Sequence, residues 1–326
     1  MTLSSGYNAQ HTAITEATVV ANPQICREHH RVTLRVRGFP IAQPGQFVHL
    51  IPSESNFGDQ RVAPQEFDID AVMFEADSQI DLTVRRAFSI AGLRRSGDHA
   101  DIDILYRVVG KCTRWMSKLS AGDRVNVLGP VGNHFTVAEG KKLALLIAGG
   151  VGLPPMIWWA QRLSESNIET LAFVGAQSRD LLALELSADD PPVAPPAASG
   201  ADPNFSAREF TQHGVKVVLS TDDGSLGFAG YVTGALAGYL DAHSPDAGEV
   251  TIYSCGPELM MKAVADLCAL RRIDCHLCME RSMACGMGTC QSCVVPVHDT
   301  NAPDGWCYKL CCTEGPIFDA RQIIWD

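Results

Sequence analysis

Cysteines near the C-terminus are the residues of this sequence best suited to chemistry. The chain has twelve cysteines, and ten of them lie between Cys255 and Cys312. Three of these, Cys285, Cys290 and Cys293, follow the spacing C-x4-C-x2-C, and further cysteines follow later in the chain. This spacing, completed by one more distant cysteine, is typical of the thiolate ligands of a [2Fe–2S] cluster. Because disulfides are disfavoured in a reducing compartment, cluster ligation is the first hypothesis.

Two glycines stand between the first two of these cysteines, in Cys285-Gly286-Met287-Gly288-Thr289-Cys290. Glycine permits a positive φ and lets backbone amides approach cluster sulfurs, where their hydrogen bonds tune the reduction potential. The motif therefore has a physical reason for its glycines as well as for its thiols. The spacing alone leaves the fourth ligand open, because Cys307, Cys311 and Cys312 all lie within plausible reach.

A zinc ribbon is the main alternative for these thiols. Cys275-x2-Cys278 and Cys290-x2-Cys293 supply the two CxxC pairs that such a site needs. This alternative leaves Cys285 without a role, and the two pairs are closer together than is usual for ribbons. We therefore favour the cluster, and we expect Cys275 and Cys278 to be small buried residues.

Two segments resemble the flavin-binding motifs of ferredoxin-reductase-like flavoproteins. The first, Arg86-Ala87-Phe88-Ser89, ends a predicted strand. In these flavoproteins the arginine meets the flavin pyrophosphate bidentately and the serine meets the isoalloxazine edge. The alternative for so short a motif is an ordinary barrel strand.

The second flavin segment passes from a strand through a turn into a predicted helix over residues 114–119. A helix N-terminus there would favour phosphate. The resemblance implies that FAD is contacted by Leu105, Tyr106, Arg107, Cys112 and Thr113. Cys112 stands where glycine is expected, which alters the backbone approach to phosphate. The hydroxyl and amide of Thr113 are expected to remain available.

A third candidate site combines two loops at the edge of a predicted parallel sheet. The first loop follows the apolar strand over residues 143–148, and the second, Tyr253-Ser254-Cys255-Gly256-Pro257, follows a later strand. Glycines there let a dinucleotide phosphate approach backbone amides, and similar paired loops occur in ferredoxin-reductase-type nicotinamide domains. The resemblance implies that Cys255 lies near the reactive nicotinamide carbon, although a buried structural thiol is the alternative. The remaining nicotinamide contacts are Gly149, Gly150, Val151, Gly152, Gly256 and Pro257.

Three regions are predicted to position these sites. Residues 1–138 alternate apolar and polar side chains between glycine and proline turns, which predicts an antiparallel β-barrel, and the resemblance implies that this barrel binds FAD. Residues 139–272 alternate apolar strands with helical segments, which predicts a domain with a parallel sheet, and the resemblance implies that this domain binds NAD. Residues 273–326 predict a small [2Fe–2S] domain that a metal group stabilises. Residues 53–80 indicate an inserted loop, and residues 187–212 indicate a flexible excursion.

Composition narrows the class of protein. The 326 residues are 46% apolar and 19% charged, with a net charge of −11, which is typical of a soluble globular protein and disfavours nucleic acid as a partner. The polar N-terminus shows no secretory signal, so a cytoplasmic location is expected. Residues 143–160 carry no charge, but their glycines and prolines predict a strand, a turn and a helix start rather than a membrane span.

Two C-terminal segments resemble a particular family. They are Ser282-Met283-Ala284-Cys285-Gly286-Met287-Gly288-Thr289-Cys290 and Cys312-Thr313-Glu314-Gly315-Pro316-Ile317-Phe318. Both are similar to the electron-transfer subunit of NAD-dependent dihydroorotate dehydrogenase. In that family the last cluster ligand stands directly before a short acidic segment and a Gly-Pro-apolar-Phe sequence, so the resemblance implies Cys312 as the fourth ligand. Cys307 and Cys311 are additional to the family pattern.

The resemblance also implies a function. A hydride would move between nicotinamide and FAD, and single electrons would pass through the [2Fe–2S] centre. The expected partner is an FMN-containing dihydroorotate dehydrogenase catalytic subunit in a heterotetramer, acting in pyrimidine biosynthesis. The same motifs fit an NAD(P)H-dependent reductase that serves a hydrogenase, a sulfite reductase or an oxygenase. NAD is favoured over NADP by resemblance only, because Arg179 could meet a 2′-phosphate.

Overall fold

The computed structural model describes residues 12–53, 84–187 and 205–325. Nearly all of the predicted inserted loop over residues 53–80 lies outside these ranges, as does the first part of the predicted excursion over residues 187–212.

The first sheet is antiparallel and has eight strands. Its order is β5-β4-β8-β1-β3-β7-β6, with β2 paired to β3. β5 and β6 lie at opposite ends of this order, yet only residues 90 and 91 separate them in the chain. Because so short a link spans roughly 10 Å at most, the sheet must curl until its two ends meet. The strands are Ala13–Ala21 (β1), Gln24–Cys26 (β2), His29–Arg37 (β3), Phe47–Pro52 (β4), Arg86–Ser89 (β5), Gly92–Ser96 (β6), His99–Arg107 (β7) and Arg124–Val131 (β8).

The second sheet is largely parallel and has seven strands in the order β12-β11-β10-β9-β13-β14-β17. Only β17 runs antiparallel to its neighbour. Its central strands β9 and β13 are almost fully buried, as expected where helices cover both faces. The strands are Leu143–Gly149 (β9), Glu169–Ala176 (β10), Lys216–Thr221 (β11), Phe228–Ala229 (β12), Val250–Cys255 (β13), Asp274–Cys278 (β14) and Ile317–Asp319 (β17).

Five helices accompany the two sheets in the described ranges. Lys111–Met116 (α1) follows β7, and Leu153–Leu163 (α2) follows β9 through a short 3-10 turn at Gly150–Gly152. The other three are Arg208–Thr211 (α3), Val232–His243 (α4) and Glu258–Arg271 (α5). The structure therefore divides the uncharged stretch from residue 143 into a strand, a turn and a helix, as predicted. No helix of the described residues is long and apolar enough to cross a membrane.

The C-terminal region combines a hairpin with two strands of the second sheet. Val294–His298 (β15) and Trp306–Leu310 (β16) form the hairpin. β14 and β17 belong to the predicted third region, but they extend the parallel sheet through β13. The C-terminal region is therefore continuous with the second sheet.

Residues 205–212 differ from the flexible segment that the sequence predicts. Phe210 is fully buried, and Phe205 pairs with Val217 of β11. Glu209 is also buried and accepts a hydrogen bond from Arg31 of the barrel at 2.7 Å. Burial of two aromatic side chains stabilises this segment despite its polar, proline-rich surroundings.

Candidate functional site

The first predicted flavin motif forms strand β5, which pairs with β4. Arg86 donates hydrogen bonds to the main-chain oxygens of Val84 and Arg85, and within the described ranges it has no carboxylate partner. Its guanidinium therefore keeps donors for an anion such as a pyrophosphate. The Phe88 ring meets the Tyr106 ring edge-on at 6.2 Å, so the two predicted flavin segments are adjacent.

The second flavin segment offers its backbone more than its side chains. Tyr106 is buried and donates a hydrogen bond to Asn22 at 3.0 Å, and burial raises the pKa of Tyr106 to about 12. Arg107 pairs with Glu28 at 2.8 Å. The side chains of Tyr106 and Arg107 therefore already have hydrogen-bond partners within the barrel.

The start of α1 also differs from the prediction. This helix begins at Lys111, three residues before its predicted start. The Thr113 hydroxyl accepts hydrogen bonds from the amides of Val109 and Gly110 at 2.9 and 3.0 Å, so it caps the helix rather than remaining available. Burial raises the pKa of the Cys112 thiol, and the nearby Arg86 guanidinium opposes this increase in part.

The two predicted nicotinamide loops meet because β9 and β13 are neighbouring parallel strands, with Cys255 opposite Ala148. Their backbones touch. A Cβ on Gly152 would lie 2.1 Å from the carbonyl oxygen of Cys255, and a Cβ on Gly256 would lie 3.0 Å from that of Gly149. Only glycine permits this approach, which leaves both loops at the carboxyl edge of the sheet, where dinucleotides bind in such folds.

Cys255 is buried at the end of β13 and lies opposite Cys278 of β14. A hydrogen bond with the Cys255 thiol, together with burial, raises the pKa of Cys278 well above its usual value. The apolar cluster around Cys255 includes Leu105 of the second flavin segment. The second nicotinamide loop and the second flavin segment therefore contribute side chains to the same buried apolar core.

The four predicted cluster cysteines lie in two pairs. The Cys290 amide is 3.4 Å from the Cys285 sulfur, and the Cys312 amide is 3.4 Å from the Cys293 sulfur. Within residues 12–53, 84–187 and 205–325, no three His, Cys, Asp or Glu side chains converge on one ion position. Two thiol pairs suit a [2Fe–2S] cluster, in which each of two irons takes two thiolates.

The other cysteines of this region face elsewhere. Cys307 donates to Asp299 at 3.7 Å, and Cys311 donates to the Met279 carbonyl at 3.3 Å. The predicted burial of Cys275 and Cys278 in β14 is confirmed. A zinc ribbon would have to draw on these two buried thiols.

The electrostatics of the thiol pairs indicate a need for a cation. Hydrogen bonding from Ser292 lowers the pKa of Cys290 to about 6, which favours thiolate. Burial, followed by the neighbouring Cys293 thiol, raises the pKa of Cys312 to about 12. Two buried thiols side by side ionise together only when positive charge lies between them. The donor set therefore fits an iron–sulfur cluster.

Asn133 fixes the cluster region to the barrel. Its side chain donates to the carbonyls of Glu314 at 2.8 Å and Ile317 at 2.9 Å and accepts from the Ile317 amide at 2.9 Å. Next to it, a Cβ on Gly132 would lie 2.9 Å from the Gly315 carbonyl oxygen. This contact holds the segment after Cys312 against the barrel rim.

Sequence reasoning missed His49. It lies in the middle of β4, fully buried, and its ring packs against Gly286 of the cluster loop. The available signal was an imidazole inside the otherwise apolar strand Phe47–Pro52.

Two family models match separate parts of the chain. Residues 18–134 match the family described as a siderophore-interacting FAD-binding domain. Residues 280–324 match the iron–sulfur cluster binding domain of dihydroorotate dehydrogenase B. The predicted FAD and iron–sulfur cofactors are thereby confirmed.

Solved structures share the fold. An NADH-dependent reduced ferredoxin-NADP oxidoreductase is 21% identical, with a TM-score of 0.66 over 95% of this chain and 90% of that one. The ferredoxin reductase of carbazole 1,9a-dioxygenase is 19% identical, with a TM-score of 0.56 over 82% of this chain and 69% of that one. The chain thus has a ferredoxin-reductase-like fold, which confirms the predicted fold class, and the family matches above add FAD-binding and iron–sulfur binding domains to it.

Curated relatives specify the family within this class. The electron transfer subunit of dihydroorotate dehydrogenase B (NAD(+)) from Listeria monocytogenes serovar 1/2a is 32% identical over 95% of this chain and 98% of the relative. The subunit from Streptococcus mutans serotype c is 32% identical over 95% and 97%. The chain belongs to the family of dihydroorotate dehydrogenase B electron transfer subunits, as its C-terminal motifs indicate.

Proposed function

We propose that this chain transfers electrons from an FMN-containing dihydroorotate dehydrogenase catalytic subunit to NAD through a [2Fe–2S] cluster and FAD. It would do so in a cytoplasmic heterotetramer that serves pyrimidine biosynthesis. One observation carries the proposal: the cluster loop, the flavin strand and the nicotinamide loops pack around the same barrel edge. Gly286 contacts His49 of β4, which pairs with the flavin strand β5. Cys255 and Leu105 belong to the same buried apolar core.

The proposed flavin site uses β5 and the turn after β7. Arg86 would bind the pyrophosphate, because its described hydrogen bonds go only to neighbouring carbonyls. Ala87, Phe88 and Ser89 would line the ring system along the same strand. The main chain at Leu105, Tyr106, Arg107, Cys112 and Thr113 would complete the site, because the side chains of Tyr106, Arg107 and Thr113 are already bonded.

The proposed nicotinamide site uses the glycine turn after β9 and the loop after β13. Gly150 leaves open space where a Cβ would stand, so phosphate can approach its amide, and Gly149, Val151 and Gly152 continue this turn. Gly256 and Pro257 lead into α5. Cys255 would position the nicotinamide rather than react with it. When bound, FAD exchanges a hydride with nicotinamide and single electrons with the cluster.

The proposed cluster ligands are Cys285 and Cys290 for one iron and Cys293 and Cys312 for the other. The pairing follows the two short amide-to-sulfur distances of 3.4 Å. The main chain of the loop supports the sulfurs, because the amide of Met287 also points at the Cys285 sulfur at 3.4 Å. We infer three functional units, residues 1–138 for FAD, 139–272 for NAD and 273–326 for the cluster.

Reconstitution with the candidate FMN-containing catalytic subunit tests the proposal. The two chains are expected to co-purify, and the complex is expected to reduce NAD when dihydroorotate is added anaerobically. The catalytic subunit alone should reduce an artificial dye with dihydroorotate but should not reduce NAD. This control separates an inactive catalytic subunit from a failure of electron transfer.

An NAD(P)H-dependent reductase with another partner is the second candidate function, because the flavin and nicotinamide sites would be the same. It predicts no stable complex with the dihydroorotate subunit and rapid reduction of ferredoxins or dyes by NADH or NADPH. If the FMN subunit is active with dyes and no complex forms, the proposed function is wrong.

A further inference from the structure

His49 is a buried polar side chain without a described partner. It lies in strand β4 with its side chain fully buried, and neither Nδ1 nor Nε2 has a hydrogen-bond partner within the described ranges. Leaving a buried polar group unpaired is unfavourable, because the group gives up its hydrogen bonds to water without replacing them. Such a position in a well-packed protein indicates a partner that the described residues do not supply.

The ring faces the cluster loop rather than the barrel interior. Val48 and Leu50 point into the barrel core, while Phe47, two residues before His49, belongs to the apolar cluster that also contains the C-terminal cysteines. Because side chains alternate along a strand, His49 shares the outward face with Phe47. Its strand partner across the sheet is Ala87 of the flavin motif.

The contact with the cluster loop is close. A Cβ placed on Gly286 would lie 2.8 Å from Nε2 of His49 and 3.0 Å from both ring carbons beside it. Gly286 has a φ of +70° and directly follows Cys285, the first proposed ligand. A glycine here is required both by this backbone conformation and by the imidazole that fills the space of a side chain.

The imidazole of His49 is neutral at physiological pH. Burial, with a smaller contribution from the Arg85 guanidinium, lowers the pKa of His49 to about 4. A neutral imidazole carries one N–H, and its Nε2 edge is the one that meets the loop. Hydrogen bonds to cluster sulfurs are among the interactions that set the reduction potential of an iron–sulfur centre.

We propose that His49 sets the reduction potential of the iron–sulfur centre, with its Nε2–H donating a hydrogen bond to a sulfur at the Cys285 end of the cluster. This inference rests on the proposed cluster site. His49 would also hold the cluster loop at a fixed distance from the flavin strand, because it fills the space between Gly286 and β4.

The test uses the full chain, loaded and purified anaerobically, with His49→Leu and His49→Gln. Leucine keeps the buried volume without a donor, and glutamine keeps an N–H. The matched control is His243→Leu, because His243 lies at the end of α4, stacked on Tyr239. The readouts are iron and sulfide per chain, the cluster midpoint potential, and pulsed EPR of the reduced cluster in protein labelled with ¹⁵N-histidine.

His49→Leu is expected to keep its iron and to lower the midpoint potential, with a roughly tenfold shift of the one-electron equilibrium, or about 59 mV. His49→Gln should restore most of this shift, and His243→Leu should match the wild type. Wild-type protein should show a weak histidine nitrogen coupling that is absent in His49→Leu.

An unchanged potential in cluster-loaded His49→Leu would overturn the inference. So would the absence of histidine coupling in the wild type, a measurement that needs no variant to fold. A strong coupling from a directly ligated imidazole would equally contradict a hydrogen bond. If wild-type protein carries no iron, the proposed cluster site itself is wrong, and the iron count distinguishes that outcome from the others.

Discussion

Gly152→Ala should disconnect the two nicotinamide loops while leaving the flavin and cluster regions intact. The new Cβ would lie 2.1 Å from the Cys255 carbonyl oxygen and 2.5 Å from the Gly256 amide nitrogen. Both neighbours are backbone atoms, so no side chain can rotate away. Ordinary contact begins at about 3.4 Å, so the loops must separate by about 1.3 Å.

A displacement of this size has two expected consequences. Overpacking costs about 1–3 kcal/mol of stability. A misplacement of about 1 Å near reacting groups lowers rates by about 100-fold. We therefore expect NADH to reduce the bound flavin on the order of 100 times more slowly in Gly152→Ala, while flavin and iron content stay at the wild-type level.

The assay is anaerobic stopped-flow absorbance of flavin reduction by NADH, paired with urea unfolding. The control is Gly140→Ala, in the turn before β9. Gly140 has a φ of +83° and no atom within 4 Å of a new Cβ, so alanine there costs about 1–2 kcal/mol of backbone strain without moving either loop. A folded Gly152→Ala that reduces its flavin at the wild-type rate would refute the proposed role of the loop contact.

Three further predictions concern the cluster and the barrel. Cys312→Ser should abolish the visible absorption of the cluster, whereas Cys311→Ser and Cys307→Ser should leave it nearly intact, because those two thiols face Met279 and Asp299; the reverse pattern would reassign the fourth ligand. Asn133→Ala should lose three hydrogen bonds of about 1 kcal/mol each and speed cluster release on heating, and a wild-type release rate would show that the contact with residues 314–317 is unimportant. Raising the pH should destabilise the protein through Tyr106, because its folded pKa of about 12 lies above the ordinary tyrosine pKa of about 10, so the unfolded state loses its proton first. About 1 kcal/mol should be lost by pH 11 in urea titrations, and Tyr106→Phe should remove this part of the pH dependence.

The regular elements were largely predictable from sequence because each one carries a local signal. The apolar run before Gly149 predicts a buried strand, and the prolines after it predict the start of a helix. Helix α5 begins and ends at local signals, because Pro257 and Glu258 favour its start and Arg272 ends it in a left-handed conformation. Three of the four proposed cluster ligands, Cys285, Cys290 and Cys293, lie within nine residues, so their spacing is also a local signal.

The remaining features depend on contacts between distant residues. Nothing local shows that β14 joins the parallel sheet, because its pairing partner β13 lies some twenty residues earlier and its two cysteines resemble a metal motif. Phe205 and Phe210 pack against β11 from within a segment of disordered composition. His49 and Gly286 are far apart in the chain, so their contact appears only in the folded protein.

The composition of the purified protein tests the central claim most directly. Iron, acid-labile sulfide, zinc and flavin are measured per chain after anaerobic purification. Two irons, two sulfides and one FAD are expected, because four thiols in two pairs suit a [2Fe–2S] cluster. A colourless protein with one zinc and no flavin would contradict the account.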